Sequence, residues 1–138
     1  ERNFKFAAEY FRRSERGSLL CEDNTGAGGA CDGSDDAYRS RQSGFYAQGV
    51  YQFMPRWRTG YRYDRLDPGT VDFGANSAFL PVSEYKPARH SLMLDYSPSE
   101  FSRLRLQYSQ DKSMENAREN QWFVQYIHSL GAHGAHAF

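Results

Sequence analysis

The sequence predicts an all-β fold, an antiparallel up-and-down meander of about six strands. Three observations lead to this prediction. Apolar and polar residues alternate with a period of two in six segments, the spacing of a strand with one apolar and one polar face. The chain is polar overall, with a mean hydropathy of -0.81, yet 16% of its residues are aromatic. The connections between the six segments alternate between long and short.

The first three strands are predicted from segments with strict alternation. In "NFKFAAEYF", residues 3–11, one side carries Phe4, Phe6, Ala8 and Tyr10, and the other side carries Lys5, Ala7 and Glu9. In "GFYAQGVYQFM", residues 44–54, aromatic residues alternate with glutamines. In "WRTGYRYDRL", residues 57–66, the aromatic residues oppose two arginines and an aspartate. Each segment therefore predicts a half-buried strand.

The last three strands follow the same rule with one irregularity. In "RHSLMLDY", residues 89–96, and in "SRLRLQYS", residues 102–109, leucines alternate with arginine, serine and aspartate. In "QWFVQYIHSL", residues 121–130, Phe123 and Ile127 fall on the polar side. The sixth strand is therefore predicted from a less regular pattern than the other five.

The connections sort by length. The first, third and fifth are long, at roughly thirty, twenty and twelve residues, whereas the second and fourth are tight turns at "MPR" and "SPSE". In an antiparallel meander all long loops then lie at one end of the sheet. Outer-membrane barrels have this asymmetry, with short periplasmic turns and long extracellular loops. The sequence thus predicts that the sheet is part of a transmembrane β-barrel, and a soluble β-sandwich is the alternative.

The end of the chain carries a resemblance to a known class. The last strand alternates and the chain ends "SLGAHGAHAF", which resembles the C-terminal signature of bacterial outer-membrane β-barrels of the TonB-dependent receptor and porin class. The resemblance implies that Phe138 is an assembly signal read by the barrel-assembly machinery. It also implies a bacterial outer-membrane location, contact with outer-membrane lipid, and TonB as a partner through a region N-terminal to this chain.

Six strands are too few for a closed single-chain barrel, since such barrels begin at eight strands. Residues 1–138 are therefore predicted to be one C-terminal barrel segment of a longer protein. The alternative is that several chains each contribute strands to one barrel. The equal numbers of basic and acidic residues, 17 each, give no reason to expect nucleic acid as a partner.

Two small groups of residues are candidates for a disulfide and for a metal site. Cys21 and Cys31 lie in one Gly-rich polar segment, which predicts a loop disulfide; two free thiols are the alternative. His133 and His136 are candidate ligands, with zinc as the metal, but only if "GAHGAH" forms a turn or bulge. In a regular strand their side chains point to opposite faces. No cofactor is otherwise expected.

The polar side of the predicted strands holds the candidate site. Six cations on this side are predicted to face the barrel lumen and contact solute, against the acids Glu9, Asp64 and Asp95. They are Lys5, Arg58, Arg62, Arg89, Arg103 and Arg105. Arranged in ladders, these cations favour anionic solutes. The alternative is that they pair with acids on neighbouring strands or with a plug.

The expected function is uptake or diffusion of small solutes, anionic or metal-related, across the outer membrane. Two alternatives stay open. One is a structural or adhesive barrel that acts through its extracellular loops, and the other is a soluble β-sheet binding module. No nucleophile motif such as GxSxG is present, so an enzyme is not expected.

Overall fold

A computed structural model describes residues 2–20, 35–78, 80 and 82–130. They form one six-stranded antiparallel sheet in which every strand pairs with its neighbours along the chain. The strands are β1 (Asn3–Leu20), β2 (Asp35–Met54), β3 (Trp57–Asp72), β4 (Ala88–Ser99), β5 (Ser102–Lys112) and β6 (Glu119–His128). A short 3-10 helix spans Gly74–Ala78 between β3 and β4. The predicted all-β meander of six strands is therefore confirmed, as one open sheet.

The short connections lie at one end of this sheet and the longer ones at the other. Met54 pairs with Trp57, so only Pro55 and Arg56 form the turn between β2 and β3. Ser99 pairs with Ser102, which leaves a two-residue turn between β4 and β5. The predicted "SPSE" turn was placed too early, because β4 continues through Pro98 to Ser99. At the opposite end, residues 73–87 and 113–118 form the longer connections.

The first three strands extend well beyond their predicted ends, to 18, 20 and 16 residues. In β3 the extension passes through a bulge: Ser43 pairs with Asp67, but the next pair is Arg41 with Thr70. Gly69 makes this possible, since its φ of 62° suits glycine and a Cβ there would lie 2.1 Å from the Arg41 carbonyl oxygen. "DPGT" therefore forms a bulge where the sequence indicates a loop.

The connection between β3 and β4 packs back onto the β1–β2 hairpin. Asn76 is fully buried, and its Nδ2 donates a hydrogen bond of 3.0 Å to the Leu19 carbonyl oxygen. The rings of Tyr38 and Phe73 stack with centroids 5.8 Å apart. These contacts hold the helix Gly74–Ala78 against the ends of β1 and β2. Within the described residues, no helix has the length and apolar character needed to span a membrane.

The polar face of the sheet is more buried than the apolar face, whereas a soluble protein usually buries its apolar side chains. The apolar face leaves Phe6 68%, Trp122 67% and Val124 75% exposed. The polar face, by contrast, buries Asp95 to 2% and Ser109 to 1% exposure. No hydrophobic side chain is buried in the described part of the chain. The sheet therefore has no apolar core of its own, and its best-packed side is the charged one.

Candidate functional site: the polar face of the sheet

Alternation and register together bring the polar side chains of all six strands onto one face, here called the polar face. Pairing across the sheet arranges its residues in rows that run from β1 to β6. One row contains Asn3, Gln52, Arg58, Asp95, Arg105 and Gln125. Another contains Glu9, Tyr46, Asp64, Arg89, Asp111 and Glu119. A third, between them, contains Ala7, Gln48, Arg62, Ser91, Ser109 and Gln121.

Asp95 is the centre of the first row. It lies opposite Arg58 on β3 and Arg105 on β5. The Arg105 guanidinium donates two hydrogen bonds to it, Nε to Oδ1 at 2.7 Å and a terminal nitrogen to Oδ2 at 2.9 Å. This parallel geometry is the strongest form of an arginine–carboxylate contact. It explains how a carboxylate can be almost completely buried on this face without an unpaired charge.

Two further ion pairs occupy the rows nearer the long connections. Arg62 donates to Asp64, two positions along the same strand, from Nε at 2.9 Å and from a terminal nitrogen at 2.6 Å. Arg89 donates from Nε to Asp111 on β5 at 2.9 Å, and a second guanidinium nitrogen contacts the same carboxylate. The Arg62 guanidinium carbon also lies 3.9 Å from the centre of the Tyr46 ring, a cation–π distance. Each of these cations therefore has a fixed position.

Small polar side chains fill the space between the ion pairs. The hydroxyl oxygens of Ser91 and Ser109 lie 3.0 Å apart across β4 and β5. Gln107 Nε2 donates to the Ser109 hydroxyl at 3.3 Å. The polar face also contains a hollow of about 600 Å³, with arginines 62, 89 and 105 in its wall. A small hydrophilic molecule of matching charge can be accommodated beside these groups.

The six predicted solute-contact cations all lie on the polar side of their strands, but only some of them form ion pairs with described residues. Arg62, Arg89 and Arg105 form ion pairs with carboxylates. Lys5, Arg58 and Arg103 have no ion pair among the described residues. The Arg103 Nε is buried and has no hydrogen-bond partner there. Contact of these six residues with a solute stays a prediction.

The polar face is closer to charge balance than the sequence indicated. Besides Glu9, Asp64 and Asp95, it carries Asp111 and Glu119. Sequence reasoning missed both because it ended the fifth strand at Ser109 and began the sixth at Gln121, whereas β5 and β6 extend past these points. The six predicted solute-contact cations therefore lie among these five carboxylates, and the surplus of positive charge in this group is small.

One end of the polar face is apolar, which the sequence also did not reveal. Phe11 pairs with Gly44, and Gly44 pairs with Leu66. A Cβ on Gly44 would lie 2.4 Å from the Phe11 ring and 2.8 Å from the Leu66 side chain. The two apolar side chains thus meet over the glycine, next to the ion pairs and at the end of the face that carries the long connections.

Several sequence-based candidates lie outside the described residues. These are the disulfide pair Cys21 and Cys31, the zinc candidates His133 and His136, and the assembly signal Phe138. Among the residues that the structure does describe, no three side chains of His, Cys, Asp or Glu lie close enough to hold a metal ion.

The chain is similar to an uncharacterized protein of Aquifex aeolicus (strain VF5), with 31% identity over 143 residues. The aligned region takes in 99% of this chain and 27% of the relative, so the chain spans about a quarter of the length of that curated relative. No family model matches the chain. No solved structure matches it either.

Proposed function

We propose that this chain is a segment of a bacterial outer-membrane β-barrel of the porin or TonB-dependent receptor class, whose lumen admits small hydrophilic solutes. The observation that carries the proposal is the reversed burial of the sheet. Its outward side chains are large and apolar, while its charged side chains are packed together. In a membrane barrel the apolar face contacts lipid and the polar face lines the lumen.

The energetics of the apolar face favour lipid over water as its surroundings. Burial of apolar surface is worth about 25 cal/mol per Å². Soluble monomers rarely expose contiguous apolar patches larger than a few hundred Å². Here exposed aromatic and aliphatic side chains occur on this face in every strand, for example Phe4 on β1, Leu92 on β4 and Val124 on β6. A hydrocarbon phase covers such a face without any further protein layer.

The height of the apolar face suits a bilayer. On β2 this face extends from Met54, which pairs with Trp57, to Phe45. These nine steps of about 3.3 Å give a length of roughly 30 Å along the strand. A tilt of about 40° reduces it to roughly 23 Å, close to the ~25 Å apolar band of outer-membrane barrels. Rings at the turn end, Trp57 and Tyr96, lie 4.6 Å apart, where an interfacial aromatic girdle is expected.

The topology supports the same proposal. Consecutive strands pair throughout, short turns alternate with longer connections, and both edges of the sheet are open. A barrel needs at least eight strands to close. The alignment to about a quarter of a longer relative is compatible with a chain that supplies six strands of a larger barrel.

Solute passage is proposed from the polar face. A lumen lined by paired arginines and aspartates is wet and of mixed charge, so we expect weak anion preference at most. Measurement of conductance tests this. The native protein, reconstituted into planar bilayers, should give open-channel currents, and Arg58→Gln should shift the reversal potential toward cations more than the apolar-face variant Leu94→Met does.

Two results would each favour a different function. Bilayer insertion without conductance would favour the structural or adhesive barrel, in which the loops carry the function. Recovery of the native protein from the soluble fraction without detergent would instead favour a soluble β-sheet binding module. In that case a second protein layer, in place of lipid, would have to cover the apolar face.

A further inference from the structure

A group of arginines lies on the same side of the sheet as the apolar face, immediately beyond its last aromatic residues. On β1 the outward residue after Tyr10 is Arg12, and on β2 the outward residues after Phe45 include Arg41. The bulge at Gly69 keeps the ends of β1, β2 and β3 paired in this region. The arginine collar, as we call this group, consists of Arg12, Arg16, Arg39, Arg41 and Arg65. All five are exposed.

The register places like charges close together in the collar. Arg16 pairs directly with Arg39, and Arg41 lies two positions after Arg39 on the same face. Like charges directly opposite each other destabilise a strand pair. None of the five arginines forms an ion pair with a described residue. An external anion would relieve this repulsion.

On β3, two acids lie beside the collar. Asp67 and Asp72 are the carboxylates on the neighbouring part of β3. Asp67 already binds Lys86 at 2.7 Å, and this contact, with a hydrogen bond from the Gly69 N–H, lowers the pKa of the carboxyl. Asp72 lies opposite Arg39 and accepts a hydrogen bond from the Gly74 N–H. Beside the five arginines, the described part of β3 therefore supplies two acids, one of which has its own lysine.

The other side of the same hairpin differs. Arg13 points to the polar side, where it forms an ion pair with Glu15. In the β1 and β2 strands, the arginines without an ion pair to a described residue thus all lie on the outward side, next to the apolar face. Because the collar arginines lie on the outward side, a ligand that binds them approaches along the apolar face and is not a solute of the lumen.

We propose that the arginine collar binds the phosphate groups of anionic lipid headgroups at the membrane surface. The inference rests on the proposed barrel, because only then does the outward side meet a lipid leaflet. Headgroups lie directly above the hydrocarbon, and the collar lies directly above the apolar face. The planar guanidinium suits phosphate because it can donate two parallel hydrogen bonds. The collar would hold these lipids against the outer wall at β1, β2 and β3.

Native mass spectrometry of the protein in a neutral detergent tests the proposal, with phosphatidic acid and phosphatidylcholine as probes. The collar variant is Arg16→Ser/Arg39→Ser/Arg41→Ser. The control, Arg13→Ser/Arg58→Ser/Arg103→Ser, removes three positive charges from the opposite side. Each arginine near a surface strengthens binding of anionic lipid about fivefold, so the collar variant should bind phosphatidic acid about 100-fold more weakly. The control should stay close to wild type, and phosphatidylcholine binding should not change.

Four outcomes would overturn the inference. Equal losses in both variants would mean that net charge alone attracts the lipid. Displacement of phosphatidic acid by inorganic phosphate at equal concentration would mean that the collar binds free phosphate. A native protein found only in the soluble fraction would overturn the proposed barrel together with the collar. A membrane protein whose collar variant retains phosphatidic acid would overturn the collar alone.

Discussion

At the residue scale, the paired charges of the polar face decide how this sheet is stabilised. Asp95 is the clearest case, since it is almost completely buried and binds Arg105 through both oxygens. The sequence predicted that Asp95 and Arg105 share a face, because alternation fixes the side to which each residue points. It did not predict which cation pairs with which acid, because that depends on register between strands.

Replacement of Asp95 by alanine should destabilise the protein by about 2–3 kcal/mol, between the values for exposed and fully buried ion pairs. The loss leaves Arg105 without its acid and removes the carboxylate opposite Arg58. Urea unfolding in detergent measures this change in free energy. Glu15→Ala, which breaks the exposed pair with Arg13, is the control and should cost under about 1 kcal/mol. Equal effects would contradict the structural role given to Asp95.

Gly69 offers a second residue-scale test. Gly69→Ala forces a positive φ on alanine and brings its Cβ against the Arg41 carbonyl, so the bulge should open at a cost of about 1–3 kcal/mol. Gly17→Ala is the matched control, because no atom lies within 4 Å of its added Cβ. Hydrogen exchange of residues 39–43 and 70–72 should increase in the first variant only. Protection equal to wild type would contradict the bulge.

At the scale of the strand, alternation is the property that the sequence predicted best. It assigned the faces of all six strands, because a period of two leaves only two choices and a slip would invert every side chain. It misjudged strand ends. "DPGT" and the polar residues beyond Phe11 look like loop, yet pairing between β1, β2 and β3 continues past them. Long-range pairing and one glycine bulge, which local composition does not show, extend these strands.

Neighbouring residues on β4 test whether its two faces differ as proposed. Leu94→Arg places a charge on the apolar face and should destabilise the membrane-inserted protein by about 2–4 kcal/mol. Met93→Arg, on the polar face of the same strand, should cost much less because its guanidinium remains in a wet lumen. Unfolding from vesicles, followed by tryptophan fluorescence, gives both values. A larger loss for Met93→Arg would contradict the assignment of the faces.

At the scale of the whole molecule, the described sheet has two open edges that can pair with further strands. β1 and β6 each have one paired neighbour, so each presents a row of backbone groups to a further strand. The sequence predicted six strands and hence an incomplete barrel, and it carries no information on which strands would complete the proposed barrel. If further strands complete the barrel as proposed, residues 1–138 expressed alone in detergent should oligomerise through these edges, whereas the native protein should not. Size-exclusion chromatography with light scattering distinguishes the two.

Whether lipid covers the apolar face can be tested by measuring how accessible successive residues of β4 are to a water-soluble reagent. In a Cys21→Ser/Cys31→Ser background of the native protein, single cysteines at Leu92, Met93 and Leu94 are exposed in cells to a small charged maleimide that passes through barrels but does not enter lipid. If lipid covers the apolar face, only Met93→Cys reacts. In a sheet surrounded by water, Leu92 and Leu94 are the more exposed positions. Faster labelling there than at Met93 would show that water, and not lipid, contacts the apolar face.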